Sequence, residues 1–303
     1  MKYVLLVLLT TLCVSNLCAQ DREQRRKEIL EKFDKDGDGR LSKEEHEAVR
    51  ASFEKERDSR KKTSQTDKKR TPKPKVDESF IKGAVVSMPS SLDAETKTLR
   101  NEFVFFKQVN QTEKTPLIIY LHGGGAHNGP TSRHLSNPTA SLISKGKYPF
   151  NLLIPVFQKA EGMPNGWNPD DLTRLLKFII NEYNIDAKRV FLTGHSMGGA
   201  GTLMWGNKYP ELFAGLVPRS AGGAESPKGE LPVQAKNFVK VPIWAFHGSK
   251  DGACDYRKIE SLLKEIKSLG AQPKFTLLEG LGHNISSAVN SDDKILKWFM
   301  EQK

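Results

Sequence analysis

Cysteine is almost absent. The 303-residue chain has three, Cys13, Cys18 and Cys254. The first two fall in a stretch that reads as a removable leader. One cysteine would then remain, which excludes a disulfide-built scaffold within the mature chain. Long apolar runs are scarce too. The only one is at the start, MKYVLLVLLTTLCVSNLCAQ, with Lys2 in front and small residues behind. It is too short for a membrane span and has the layout of a secretory signal peptide, with cleavage expected after Ala19. Residues 1–19 are therefore read as a leader, and the mature chain is expected to be secreted or periplasmic. A strong basic face on the folded part is also missing. The net charge is +11, but residues 55–75 carry +7 of it and the 228 residues from 76 onward carry only +5. That distribution argues against a nucleic-acid-binding domain.

Three zones follow the leader. Residues 20–54 look helical around a short acidic loop. Residues 55–78 begin with KERDSRKKTSQTDKKRTPKPK, whose first twenty-one positions hold no large apolar residue. Such a composition cannot bury a core, so this zone is read as a basic, disordered linker; residues 55–75 are the place for any weak attachment to an anionic surface. Residues 79–303 alternate short β-rich runs with helical ones. Strands are expected at 102–107, 117–121, 152–156, 189–193, 212–217, 243–247 and 274–278. Helices are expected at 169–183, 197–208, 256–269 and 292–302. The central strands are continuously apolar, as a sheet covered on both faces requires. The fold class is α/β: a doubly wound, mostly parallel sheet preceded by a small helical segment.

The strongest motif lies between the expected strand at 189–193 and the helix at 197–208: Gly194-His195-Ser196-Met197-Gly198. A serine on a tight strand-to-helix turn needs small residues two places away on either side. Its Oγ then stands at the sheet edge, and the Met197 N–H at the helix start faces a developing oxyanion. A serine nucleophile needs a base. Only His247 and His283 follow Ser196, and in this motif's fold the base comes last. His283, in a loop after the last strand, is the base by position; His247, at a strand end before Gly248, reads as a packing residue. Asp251 in His247-Gly248-Ser249-Lys250-Asp251 is the candidate acid, with Asp255 as the alternative. A second oxyanion donor is expected from His122-Gly123-Gly124-Gly125 after an early strand, either Gly124 or Gly125. Trp167 is equally readable as lining the site or as packing.

Together, these segments resemble the α/β-hydrolase superfamily. Asn184-Ile185-Asp186, Arg189-Val190 and Tyr209-Pro210-Glu211-Leu212-Phe213 narrow the resemblance to a subgroup. It contains secreted carboxylesterases, feruloyl and acetylxylan esterases, polyhydroxyalkanoate depolymerases and prolyl-oligopeptidase-like peptidases. The resemblance covers roughly residues 80–303 and implies a serine hydrolase of carboxylic esters, small or polysaccharide-linked, with no cofactor for catalysis. A peptidase with the same triad and a calcium-dependent anchoring protein are the rival readings. The sequence departs from relatives at Cys254, read as a buried apolar substitute.

The acidic loop Asp34-Lys35-Asp36-Gly37-Asp38-Gly39-Arg40-Leu41-Ser42-Lys43-Glu44-Glu45 fits a twelve-residue EF-hand. Asp34, Asp36 and Asp38 take positions 1, 3 and 5, and Gly39 makes the sharp turn. Arg40 offers its carbonyl, Ser42 its hydroxyl, and Glu45 can bind bidentately. Hard oxygen ligands in this number select Ca²⁺, in a structural rather than a catalytic role.

Overall fold

The structure is a computed structural model. It describes residues 30–37, 39, 41–42, 44–45, 47–49, 52, 76–161, 166–222 and 233–302. The expected leader and most of the linker lie outside these residues. The chain divides into two compact units, Met1–Pro72 and Lys73–Lys303.

Among the described residues of the second unit, eight strands form one sheet in the order β1-β2-β4-β3-β5-β6-β7-β8. They are β1 (Ile81–Ser87), β2 (Leu99–Gln108), β3 (Thr115–Leu121), β4 (Asn151–Phe157), β5 (Ile185–His195), β6 (Gly215–Arg219), β7 (Trp244–Gly248) and β8 (Lys274–Leu278). β2 runs antiparallel to both its neighbours, whereas β4, β3, β5, β6, β7 and β8 are parallel. The helices are α1 (Ser90–Glu95), α2 (Pro138–Gly146), α3 (Pro169–Glu182), α4 (Met197–Lys208), α5 (Tyr256–Ser268), α6 (Ser286–Val289) and α7 (Lys294–Glu301).

The pattern of side chains explains the layering. All seven residues of β4 are buried, so both faces of the sheet are covered. One face carries Leu117, Ile119, Leu192, Leu175, Trp205 and Phe238; the other carries Ile118, Phe191, Phe246, Trp298 and Phe299. Each such side chain stabilises by about 1.5–3 kcal/mol when fully withdrawn from water. Helix starts are set locally. Asn168 caps α3 by accepting from the Asp170 and Asp171 N–H groups, with Pro169 at the first turn. Asp255 caps α5 by accepting from the Arg257 N–H.

The expected central strands and main helices are present with shifted ends. β5 starts four residues earlier than expected and β6 three residues later. β1, α1, α2 and α6 were not anticipated. In β1, which pairs with β2 alone, only Ile81 is buried and the other six residues are partly or fully exposed, a weaker signal than a continuous apolar run.

Candidate active site

The Ser196 turn is built by steric necessity. Ser196 has φ 58° and ψ −117°, a strained conformation for a residue with a side chain. The turn closes so tightly that a Cβ on Gly194 would run into the Gly198 carbonyl, and one on Gly198 into the Leu121 carbonyl. The Ser196 N–H is tied to the Arg219 carbonyl of β6 at 3.0 Å. The hydroxyl is thus held at the C-terminal edge of the parallel strands, where loops from several strands converge.

Three sequence-separated side chains meet there. Ser196 Oγ lies 2.8 Å from His283 Nε2, and His283 Nδ1 lies 2.9 Å from Asp251 Oδ2. A carboxylate only accepts, so Nδ1 carries the imidazole proton and Nε2 is left to accept from the serine hydroxyl. The Asp251 side chain is fully buried, while that of His283 is 30% exposed. Burial by itself would raise the Asp251 pKa. Hydrogen bonds from His283 and from the Cys254 and Ala253 N–H groups outweigh it, and the acid sits below its ordinary value. Asp255 is not part of this line; it caps α5.

The backbone of His283 is also clamped. Its carbonyl accepts from His195 Nε2 and from Ser220 Oγ, both at 2.9 Å. His195 is therefore a supporting residue, not merely the variable position of the pentapeptide. His247, expected only to pack, also makes polar contacts. Its Nε2 is 3.0 Å from Asp251 Oδ2 and 3.1 Å from the Cys254 carbonyl, so the packing role expected from its strand-end position is incomplete. A polar contact across a loop leaves no periodic trace in a sequence.

The cleft over Ser196 has a volume of about 730 Å³ and is lined by Gly123, Gly124 and Gly125, Arg133, His134 and Asn284 among others. Gly124 and Gly125 open a 3₁₀ turn and Met197 opens α4, so their N–H groups lack intrahelical acceptors. The loop is strapped from outside. Arg100 donates to the His127 and Gly129 carbonyls, each at 2.6 Å. His122 lies behind the glycines. It accepts the Phe157 N–H on Nε2 and donates Nδ1–H to the Gly123 carbonyl. Burial pushes its pKa down to about 3, and that of His134, stacked on it, to about 4. Trp167 is 2% exposed and donates to the His122 carbonyl, so it backs the glycine loop. Cys254 is half-buried, and burial pushes its thiol up to about 11.

In the first unit, carboxylate oxygens of Asp34, Asp36 and Glu45 lie within 4.8 Å of one another. Asp34 accepts from the Gly37 and Gly39 N–H groups, and Gly37 and Gly39 both have positive φ. Glu45 is 6% exposed and accepts from the Lys35 and Ser42 N–H groups. Asp38 and Arg40, expected at positions 5 and 7, lie outside the described residues. Among the described residues, no helix is long and apolar enough to cross a membrane.

Comparison with known proteins agrees with this architecture. The family model described as Phospholipase/Carboxylesterase matches residues 169–292, which include Ser196, Asp251 and His283. A bifunctional acetylxylan esterase/xylanase from Neocallimastix patriciarum is 31% identical over 165 residues, covering 52% of this chain and 22% of that protein. The chain spans less than half the length of the curated relatives it matches. Among solved structures, a thermostable esterase superposes with TM-score 0.57 at 24% identity, covering 74% of this chain and 63% of that one. A ferulic acid esterase superposes with TM-score 0.53 at 16% identity, over 73% and 98% of the two chains. The 76–302 region has the α/β-hydrolase fold, and in its C-terminal half it matches the phospholipase/carboxylesterase family of that superfamily.

Proposed function

We propose that this chain is an exported serine hydrolase of carboxylic esters, acting on acetyl or feruloyl groups carried by polysaccharides. The hydrogen-bonded line Ser196–His283–Asp251 on the strained turn is the observation that carries the reading. Ser196 Oγ attacks the ester carbonyl while His283 Nε2 takes its proton. The Met197 N–H and the N–H of Gly124 or Gly125 receive the oxyanion. His283 returns the proton to the leaving alcohol, and water then releases the acyl group by the same steps. Asp251 holds the imidazole in the Nδ1–H tautomer and stabilises the imidazolium.

The lining of the cleft supports a hydrophilic ester. Arg133, His134, Ser136, Asn137, Asn284 and Ser286 surround the nucleophile, which suits a sugar hydroxyl better than a long acyl chain. The similarity to an acetylxylan esterase over 165 residues points the same way. In the first unit, Asp34, Asp36, Asp38, the Arg40 carbonyl, Ser42 and Glu45 would hold Ca²⁺. The close carboxylates of Asp34, Asp36 and Glu45 fit a hard cation, which would fix the loop and take no part in ester cleavage.

The test is hydrolysis of p-nitrophenyl acetate, butyrate and octanoate, and of acetylated xylan, by the wild type beside Ser196→Ala. The acetate and the xylan ester should be cleaved fastest, and the variant should be inactive. Equal rates in the two proteins would sink the reading, and cleavage of peptides but not esters would move it to a peptidase.

A further inference from the structure

The Asp251 carboxylate has four N–H donors aimed at its two oxygens. Oδ1 takes the backbone N–H groups of Ala253 and Cys254, each at 2.9 Å. Oδ2 takes His283 Nδ1–H at 2.9 Å and faces His247 Nε2 at 3.0 Å. The His247 side chain is fully buried at the end of β7. Both neighbours of its Nε2, the carboxylate and the Cys254 carbonyl, are acceptors. The proton of the neutral ring is therefore on Nε2, shared between them.

Packing alone does not account for an imidazole here. His247 Nδ1 is buried with no hydrogen-bond partner among the described residues, and a buried polar atom without a partner is a cost. Leucine would fill the space without that cost. What leucine could not supply is the Nε2–H. The ionisable groups around the ring are Asp251, His283, Cys254 and, at 6.5 Å between ring centroids, Tyr256. Burial lowers the His247 pKa, which keeps the ring neutral and its tautomer fixed at neutral pH.

We propose that His247 is a positioning residue of the triad, holding Asp251 Oδ2 in place by donating its Nε2–H. The proposal rests on the ester-hydrolase reading above. Without His247, the one donor left to Oδ2 among the described residues is His283, the group it is meant to orient. The two amides still anchor Oδ1, but Oδ2 has lost its second N–H donor, and the Nδ1–H···Oδ2 line is held less tightly. The pair His247 and Asp251 are four residues apart on a strand end and its following turn, so the acid carries its own clamp within one short segment.

Two variants and one measurement on the wild type test this. His247→Leu removes the donor, and His247→Gln keeps an amide N–H₂ of similar reach. Both are compared with the wild type in thermal unfolding, in the rate of Ser196 phosphonylation by a fluorophosphonate, and in kcat and KM for p-nitrophenyl acetate across pH. His247→Leu should lower kcat and the phosphonylation rate about ten- to a hundredfold, the scale of one hydrogen bond to a charged group. KM should hardly move. Its kcat/KM profile should lose activity on the acid side at a higher pH than the wild type, because the less-solvated carboxylate favours the imidazolium more strongly. His247→Gln should recover most of kcat. Imidazole ¹⁵N shifts of the wild type should report His247 as neutral and protonated on Nε2.

Equal phosphonylation of wild type and His247→Leu overturns the positioning role, as does an equal loss in both variants. If His247→Leu does not fold, the ¹⁵N measurement decides, and an Nδ1–H tautomer overturns the proposal. A wild type that is neither phosphonylated nor active on any ester would instead fail the ester-hydrolase reading itself.

Discussion

Two regions of this molecule hold carboxylate charge in place, and they do so by opposite means. In the α/β unit a single buried carboxylate, Asp251, is surrounded by N–H donors from the protein: two backbone amides and two imidazoles. Neutral donors are enough to hold one negative charge out of water, and the acid stays ionised below its ordinary pKa. In the N-terminal loop, carboxylate oxygens of Asp34, Asp36 and Glu45 crowd within 4.8 Å. Backbone N–H groups reach Asp34 and Glu45 there too. Neutral dipoles do not cancel the mutual repulsion of several like charges, whereas a divalent cation does. One arrangement is complete with protein groups alone; the other fits a metal.

The largest test of this contrast removes a member of the Ser196–His283–Asp251 line. Ser196→Ala should lower kcat by about 10⁶-fold, and Asp251→Asn by about 10⁴-fold, with calcium binding unaffected in both. Matching calorimetry on each variant checks the second half. A loss of calcium binding would show that the regions are not separable.

The converse comes next in size. Glu45→Gln should weaken Ca²⁺ binding by at least tenfold from a Kd of about 10⁻⁴–10⁻³ M, measured by calorimetry. The rate on p-nitrophenyl acetate should stay within a factor of about two, with or without a chelator. A large fall in that rate would give the metal a part in catalysis.

Acid stability should sharpen the comparison further. His122 and His134 have folded pKa values near about 3 and about 4, against 6.5 for the free side chain. The folded state therefore binds fewer protons than the unfolded chain between these limits. The stabilisation is complete above about pH 6.5 and is lost as the pH falls toward the folded values. The melting temperature should drop between pH 7 and pH 4, and less steeply in His134→Leu.

The smallest expected effect concerns Cys254. A thiol pushed up to about 11 is protonated at pH 8, so iodoacetamide should label the native protein far more slowly than the unfolded one.

Much of the candidate site was readable residue by residue. Ser196 is marked by glycines that the turn cannot replace, and His283 by its place after the last strand. Asp251 and Asp255 were both open from the sequence, since both are acidic residues in the segment after β7. The structure separates them by what their oxygens accept: the imidazole of His283 for one, the first turn of α5 for the other. His195, Ser220 and His247 were not anticipated as supports. Their contacts join residues four to eighty-eight positions apart, and no spacing rule reports such contacts. The glycine loop was legible as an oxyanion element, but its straps from Arg100 and its backing by Trp167 and His122 were not.

The sequence by itself determined the alternation of strands and helices, the serine turn and the acidic loop. These are written in local pattern: hydrophobic period, obligatory glycines and oxygen ligands at fixed spacing. Tertiary structure alone decided which aspartate meets the histidine, which second histidine meets that aspartate, and how the glycine loop is held. Each depends on the direction of a side chain across a sheet edge, and direction between distant segments is set by how the whole core packs.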